Sequence, residues 1–245
     1  MKTVVLPIPL RLLRAFEFPR KLGICERLFA DAIAKNRVCW VRTAPGIPWK
    51  LDLAESTHRW IVYALYEGGP FLNWARAFLP ADGVIVDAGA NIGQMLLYFG
   101  QWIPRGRVLA FEPGAHSAKW LEECLQANPE LPVELLRMGL GEDTRDAYLK
   151  EVGASDLHGS WNQISEAEGQ PIKMARLADI LAERDISRVD LWELDVEGSK
   201  LPALRGARDL LASKQIRSLY VELRGDSGGL QLCHLCQCPL RQHLI

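Results

Sequence analysis

Residues 84–93 read Val84-Ile85-Val86-Asp87-Ala88-Gly89-Ala90-Asn91-Ile92-Gly93. A short continuous apolar run that ends in an acid is the pattern of a strand buried on both faces, as the strands of a parallel sheet are. Gly89 lets the backbone turn and approach a ligand without a side chain in the way. Gly93 lets the helix that follows pack close to the strand. Helical spacing runs over 92–102 and stops at Pro104. The same alternation repeats downstream. Strand Arg107–Phe111 ends in Glu112, helix 115–128 is closed by Asn128-Pro129, and strand Val133–Met138 follows. Then come a short helix Leu177–Glu183, strand Arg188–Leu194 ending in Asp195, helix 200–213 and strand Ile216–Leu223. Pro202 is tolerated because it falls in the first turn of its helix. Such alternation over about 140 residues predicts an α/β fold, an open parallel sheet with helices on both faces. Residues 147–152 and 171–176 read as extra strands flanking a polar loop, 153–170.

Upstream the texture differs. Residues 10–36 have one helical apolar face, with Leu12, Leu13, Phe16, Leu22, Cys25, Leu28, Phe29 and Ile33, and basic residues opposite. Val38–Thr43 and Trp49–Leu53 around Ala44-Pro45-Gly46 read as a hairpin, and 58–66 and 71–79 as short helices. The chain therefore divides into an amino-terminal helical and hairpin layer (1–80), a ligand-binding sheet (81–224) and a short tail (225–245).

Of 245 residues, 49% are hydrophobic and 24% charged, which excludes disordered, collagen-like and disulfide-scaffold classes. The net charge of −1 conceals a split: residues 1–60 carry +6 and the remainder −7. The near-neutral total, and basic residues not interleaved with aromatics, argue against a nucleic-acid partner. The basic face of 10–36 reads as solvated, with a peripheral membrane surface or an acidic partner as the alternative. Pro7 and Pro9 interrupt the apolar start, and no apolar stretch approaches about 18 residues. Neither a signal peptide nor a transmembrane segment is therefore expected, and the location expected is cytoplasmic. Cys25, Cys39 and Cys124 read as buried free thiols. Cys233, Cys236, Cys238 and His243 would make a zinc set, but Cys-x-x-Cys-x-Cys lacks paired-knuckle spacing, so no metal is expected.

In open parallel sheets ligands bind outside the carboxyl ends of the strands. Acids recur there: Asp87, Glu112, Asp195 with Glu197, and Glu222. Asn91 stands where a dinucleotide fingerprint has its second glycine, which weakens a pyrophosphate reading and leaves a nucleoside without one. Glu112 lies 25 positions after Asp87, where a carboxylate accepts from both ribose hydroxyls. Its other reading is a helix-start charge before Pro113.

Val86-Asp87-Ala88-Gly89-Ala90-Asn91-Ile92-Gly93, Phe111-Glu112-Pro113 and Asp195-Val196-Glu197-Gly198 resemble the FkbM-type methyltransferases in order and spacing. Leu177-Ala178-Asp179 and Leu204-Arg205-Gly206 extend the resemblance, which runs from roughly residue 60 to 223. It implies a Rossmann-like class I methyltransferase sheet. It also implies an S-adenosyl-L-methionine-dependent enzyme that methylates a hydroxyl of a sugar, glycan or natural-product scaffold. By the resemblance Asp87, Gly89, Asn91 and Gly93 line the methionine end of the cofactor and Glu112 holds the ribose. Met138, Gly139 and Leu140 border the adenine, and Asp195 lies near the cofactor's amino group or the acceptor. The acceptor is expected to be a small molecule or glycan. A hydroxyl must lose its proton during transfer, so Asp195, Glu197 and His158 are the catalytic candidates. His158 lies in the polar loop with Trp161, which could stack on a sugar face.

The chain departs from the family pattern twice. Where the family usually has Lys before and Glu after the Asp-Val-Glu-Gly run, Glu193 and Lys200 stand. The swap keeps an ion pair if the two touch, and marks a different acceptor if the usual lysine meets substrate. Only 22 residues follow Leu223, and 232–239 do not read as the usual closing antiparallel pair. A non-catalytic nucleoside-binding protein is the second reading, and a nicotinamide oxidoreductase, disfavoured by Asn91, the third.

Overall fold

The computed structural model describes residues 2–43, 46–67, 69–155, 159–224 and 230–232. The amino-terminal part contains β1 (Thr3–Val4), α1 (Ile8–Leu13), α2 (Lys21–Ala34), β2 (Val38–Arg42), β3 (Pro48–Asp52), α3 (Ser56–Val62) and α4 (Pro70–Phe78). The alternating part follows with β4 (Val84–Ala88), α5 (Leu96–Trp102), β5 (Arg107–Phe111), α6 (Ala115–Gln126) and β6 (Val133–Leu136). An insertion comprises β7 (Gly139–Leu140), β8 (Arg145–Ser155), β9 (Gly159–Ser165) and β10 (Gln170–Ala175). The chain then returns through α7 (Leu177–Ala182), β11 (Leu191–Leu194), α8 (Lys200–Gly206), α9 (Arg208–Ala212), β12 (Leu219–Arg224) and β13 (Leu230–Leu232).

The main sheet has the order β13-β12-β11-β4-β5-β6, parallel throughout except for β13. Strand order reverses at β4, which lies between β5 and β11. Alternate residues face opposite cores, as a pleated strand requires. Ile85, Val108, Ala110, Leu191 and Tyr220 pack with α5, α6 and the amino-terminal part. Val86, Leu109, Phe111, Trp192, Leu194 and Val221 pack with α7, α8 and α9. The sheet therefore has helices on both faces.

The amino-terminal hairpin is fastened to α6 by a row of polar contacts. Asn128 Nδ2 donates to Pro48 O at 3.0 Å, Trp120 Nε1 donates to Lys50 O, and Lys50 Nζ pairs with Glu123 at 2.7 Å. Leu10, Cys25, Trp49 and Leu51 share one apolar cluster with Ile85 and Leu191 of the sheet. Among the described residues no helix is long and apolar enough to cross a membrane.

Several boundaries differ from the sequence expectation. The helix expected over 10–36 is two, because Pro19 cannot continue α1 and Arg20 adopts a left-handed φ of 62° before α2. The buried apolar residues are Leu10, Cys25 and Ile33, whereas Leu12, Phe16 and Leu28 are 60% or more exposed. The helix expected from 92 begins at Leu96, since Asn91 and Gly93 hold left-handed φ values of 48° and 93°. The strand expected over Val133–Met138 breaks at Leu136, and β7 leaves the main sheet to pair with β10. The expected polar loop 153–170 is largely strand: β8, β9 and β10 form a second, mostly antiparallel sheet of order β7-β10-β8-β9. Its small core is Ala147, Leu149, Ile172 and Met174. Helix 200–213 is divided at Ala207, whose N–H is shared between the carbonyls of Ala203 and Leu204. Beyond Arg224, β13 pairs antiparallel with β12, where the sequence suggested no closing pair.

Arg14 ties the end of α1 to the last turn of α3 and to Glu67 beyond it. Its Nη1 donates to Ile61 O at 2.9 Å and to Val62 O, and its Nη2 binds Glu67, which also accepts from Tyr98 Oη at 2.7 Å. The Arg14 side chain is 7% exposed. Arg14→Met keeps the stem but strands two carbonyls and a carboxylate, so we expect about 2 kcal/mol of lost stability. Urea denaturation of Arg14→Met, Glu67→Gln and the double variant checks this; fully additive losses would show that the two side chains do not act together.

Candidate functional site

The loop after β4 is stitched to the end of β5. Gly89 and Ala90 N–H both donate to Phe111 O, at 3.0 and 3.1 Å. Gly89 has φ 94°, and a Cβ there would lie 2.1 Å from the carbonyl oxygen of Asp195. The space a side chain would fill at Gly89 thus belongs to the loop after β11. A Cβ on Gly93 would meet Leu121 of α6 at 2.9 Å. Gly93 therefore makes room for α6 as well as for Leu97 of the helix that follows it, α5, 3.3 Å from the same position. Asn91 takes its left-handed conformation at lower cost than most residues, and this turns its N–H toward Glu112.

The carboxylate of Glu112 is buried between two loops. Its Oε2 accepts from Asn91 N–H at 2.9 Å and its Oε1 from Gly114 N–H at 2.7 Å. Burial raises its pKa, and the two backbone donors oppose the rise. Each oxygen retains acceptor capacity, which suits a pair of neighbouring hydroxyls. Gln170, at the start of β10, holds the next stretch of loop: Nε2 donates to Pro113 O and Oε1 accepts from Ala115 N–H, both at 3.0 Å. Pro113 also lies beside Gly139, 3.9 Å from where its Cβ would be. Met138 and Gly139 therefore border the Glu112 loop. Asp87, Gly89, Asn91, Gly93, Glu112, Met138 and Gly139 are gathered around the carboxyl ends of β4, β5 and β6.

The loop after β11 completes the rim. Asp195 N–H donates to Ala88 O at 2.9 Å, and its carboxylate pairs with Lys200 Nζ at 3.1 Å. Glu197 is half-buried on the same loop. A Cβ on Gly198 would lie 3.6 Å from Gln163 Cγ, so β9 runs past this loop. His158 lies outside the described residues, as do Cys233, Cys236, Cys238 and His243. His58 belongs to α3, where its Nδ1 accepts from Asp52 N–H at 2.9 Å and burial pushes its pKa down to about 4.

One arrangement was not foreseen. Of the two alternatives the sequence left open for Glu193 and Lys200, the ion pair is not the contact Lys200 makes: it binds Asp195. Glu193 instead stands opposite Asp87 across β11 and β4. Both are buried. Burial pushes Asp87 up to about 7 and Glu193 well above the usual carboxylate range. Parity was the available signal: each acid stands one residue before the end of its strand, and strand order makes those strands neighbours.

Raised acid pKa values stabilise the fold at low pH and withdraw that stability as pH rises through the folded values. We expect the wild type to lose about 2 kcal/mol between pH 6 and 8.5 from this source. Glu193→Gln keeps a donor for Asp87 and flattens the slope. Denaturant titrations across that range measure it; parallel curves for the two proteins would show that the pair does not titrate there.

The profile of the methyltransferase FkbM domain matches residues 87–232. AMB antimetabolite synthetase AmbE of Pseudomonas aeruginosa is 29% identical over 189 residues, covering 62% of this chain and 9% of that protein. Methyltransferase 1 of Beauveria bassiana is 32% identical over 150 residues, covering 53% of this chain and 60% of that one. The 31-O-demethyl-FK506 methyltransferase FkbM of Streptomyces tacrolimicus is 28% identical over 181 residues, covering 62% and 68%. The chain thus spans less than two thirds of the first two relatives. The matched residues begin at Asp87 and include the Glu112 loop, the second sheet and the rim after β11, and by them the chain belongs to the FkbM methyltransferase family.

Proposed function

We propose that this protein transfers the methyl group of S-adenosyl-L-methionine to a hydroxyl oxygen of a sugar, glycan or natural-product scaffold. The observation that carries the cofactor reading is Glu112, a buried carboxylate held by Asn91 and Gly114 N–H with lone pairs to spare at the point where strand order reverses. That acceptor set fits the vicinal hydroxyls of a ribose. Met138 and Gly139 lie where an adenine attached to that ribose finds an apolar border. Asn91 in place of a glycine suits a nucleoside lacking pyrophosphate.

The cofactor supplies a sulfonium-activated methyl group. The chain's own part is to orient the acceptor and take its proton. A hydroxyl placed in line gains several kcal/mol from positioning alone. Asp195 and Glu197 stand on the loop beside β9, and a carboxylate there is suited to receive the hydroxyl proton. Lys200 Nζ pairs with Asp195 at 3.1 Å and so holds that carboxylate in place. His158 is the remaining candidate on the segment between β8 and β9. The FkbM relative is named for a demethylated oxygen, which supports oxygen as the methylated atom. The acceptor is bounded in this reading by the second sheet and the amino-terminal part.

Glu112→Ala should weaken binding of both S-adenosylmethionine and S-adenosylhomocysteine about 10- to 100-fold, the effect of losing two hydrogen bonds to a charged acceptor. Calorimetric titration measures this. Affinity unchanged in Glu112→Ala would remove Glu112 from the site. Label transfer from methyl-labelled donor to hydroxylated acceptors, read by mass spectrometry, tests the reaction; product carrying the methyl on nitrogen or carbon overturns the oxygen assignment.

A further inference from the structure

Asp87 and Glu193 are directly opposed on neighbouring parallel strands and both are buried. Two ionised carboxylates buried side by side repel each other, and one proton shared between them relieves that repulsion. Among the described residues neither acid has a salt-bridge partner. The surroundings add negative charge. Asp195 at the end of β11 and Glu222 on β12 act on Glu193, and Glu112 at the end of β5 acts on Asp87. Tyr220 on β12 and Tyr66 after α3 face the same acids. The cation of this region, Lys200 on α8, is taken by Asp195. The charge of this buried pair changes by one unit for one proton.

We propose that Asp87 and Glu193 share a proton before the methyl donor binds and release it to solvent when the donor's cation enters, so that the pair tells donor from product by charge. This rests on the cofactor reading above. The donor carries a sulfonium; the product is the same molecule with a neutral thioether. A second negative charge on the pair therefore favours the donor and gives the product nothing. Glu193 is in this view a positioning residue for donor selectivity, and its carboxyl group takes no part in the transfer itself.

Calorimetry of donor and product in buffers of different ionisation heat counts the protons released. At about pH 7 the wild type should release more protons with S-adenosylmethionine than with S-adenosylhomocysteine. The ratio of product to donor Kd should rise about threefold or more per pH unit between about pH 6 and 8. Both ligands carry the same amino group, so its titration cancels in the ratio. Glu193→Gln should release no excess and hold the ratio flat. Equal release with the two ligands, or a wild-type ratio that ignores pH, overturns the proposal. Binding of neither ligand removes the cofactor reading itself, a separate outcome. Should Glu193→Gln fold poorly, Asp87→Asn supplies the second comparison, and the wild-type pH dependence alone is decisive.

Discussion

A single buried carboxylate holds together the two loops on which the site is built. Glu112 accepts one backbone N–H from the turn after β4 and one from the turn after β5. Gly114 is buried and its N–H would otherwise be an orphan, and an unmet buried amide costs about 1–3 kcal/mol. The tie also explains the left-handed Asn91: that conformation aims its N–H at Glu112. Around this pair the other loops follow. Gly89 leaves room for the Asp195 carbonyl, Gly93 for Leu121, and Gln170 fixes the chain beyond Pro113. These loops are thus held by the side chains of Glu112 and Gln170 acting on backbone groups.

The second sheet extends the same logic to the open side. It is anchored at Gln170 against the Glu112 loop and passes Gly198 through Gln163. Its core of Ala147, Leu149, Ile172 and Met174 is small. A lightly cored sheet between two site loops can vary its outer strands at little cost to the main sheet, which makes it a natural place for acceptor preference to reside.

Much of this was legible in the sequence because the main sheet is buried on both faces. Runs such as Val84–Val86 and Val108–Phe111 have no polar interruption, so their extent and terminal acids stood out. The insertion was harder to read. Residues 147–152 and 171–176 read as strands, but 153–170 between them is largely polar and so resembled a loop, although β9 runs through it. The amino-terminal helices misled for a different reason. Their apolar residues satisfy helical spacing on more than one face, and only the break at Pro19 and Arg20 decides which face turns inward. The acid pair Asp87–Glu193 required strand order as well as strand identity, since residues far apart in sequence become opposed only once β11 is placed beside β4.

The fastening of the hairpin to α6 bears on how new specificities can arise. Asn128, Trp120 and Glu123 of the cofactor-side chain are complements to Pro48 and Lys50, and Trp49 lies in the same cluster as Ile85. An exchange of the first 80 residues between relatives would therefore cut through one core and mismatch a polar seam. Recombination at that boundary is disfavoured, and change in the amino-terminal part must come by point substitution at positions facing away from α6.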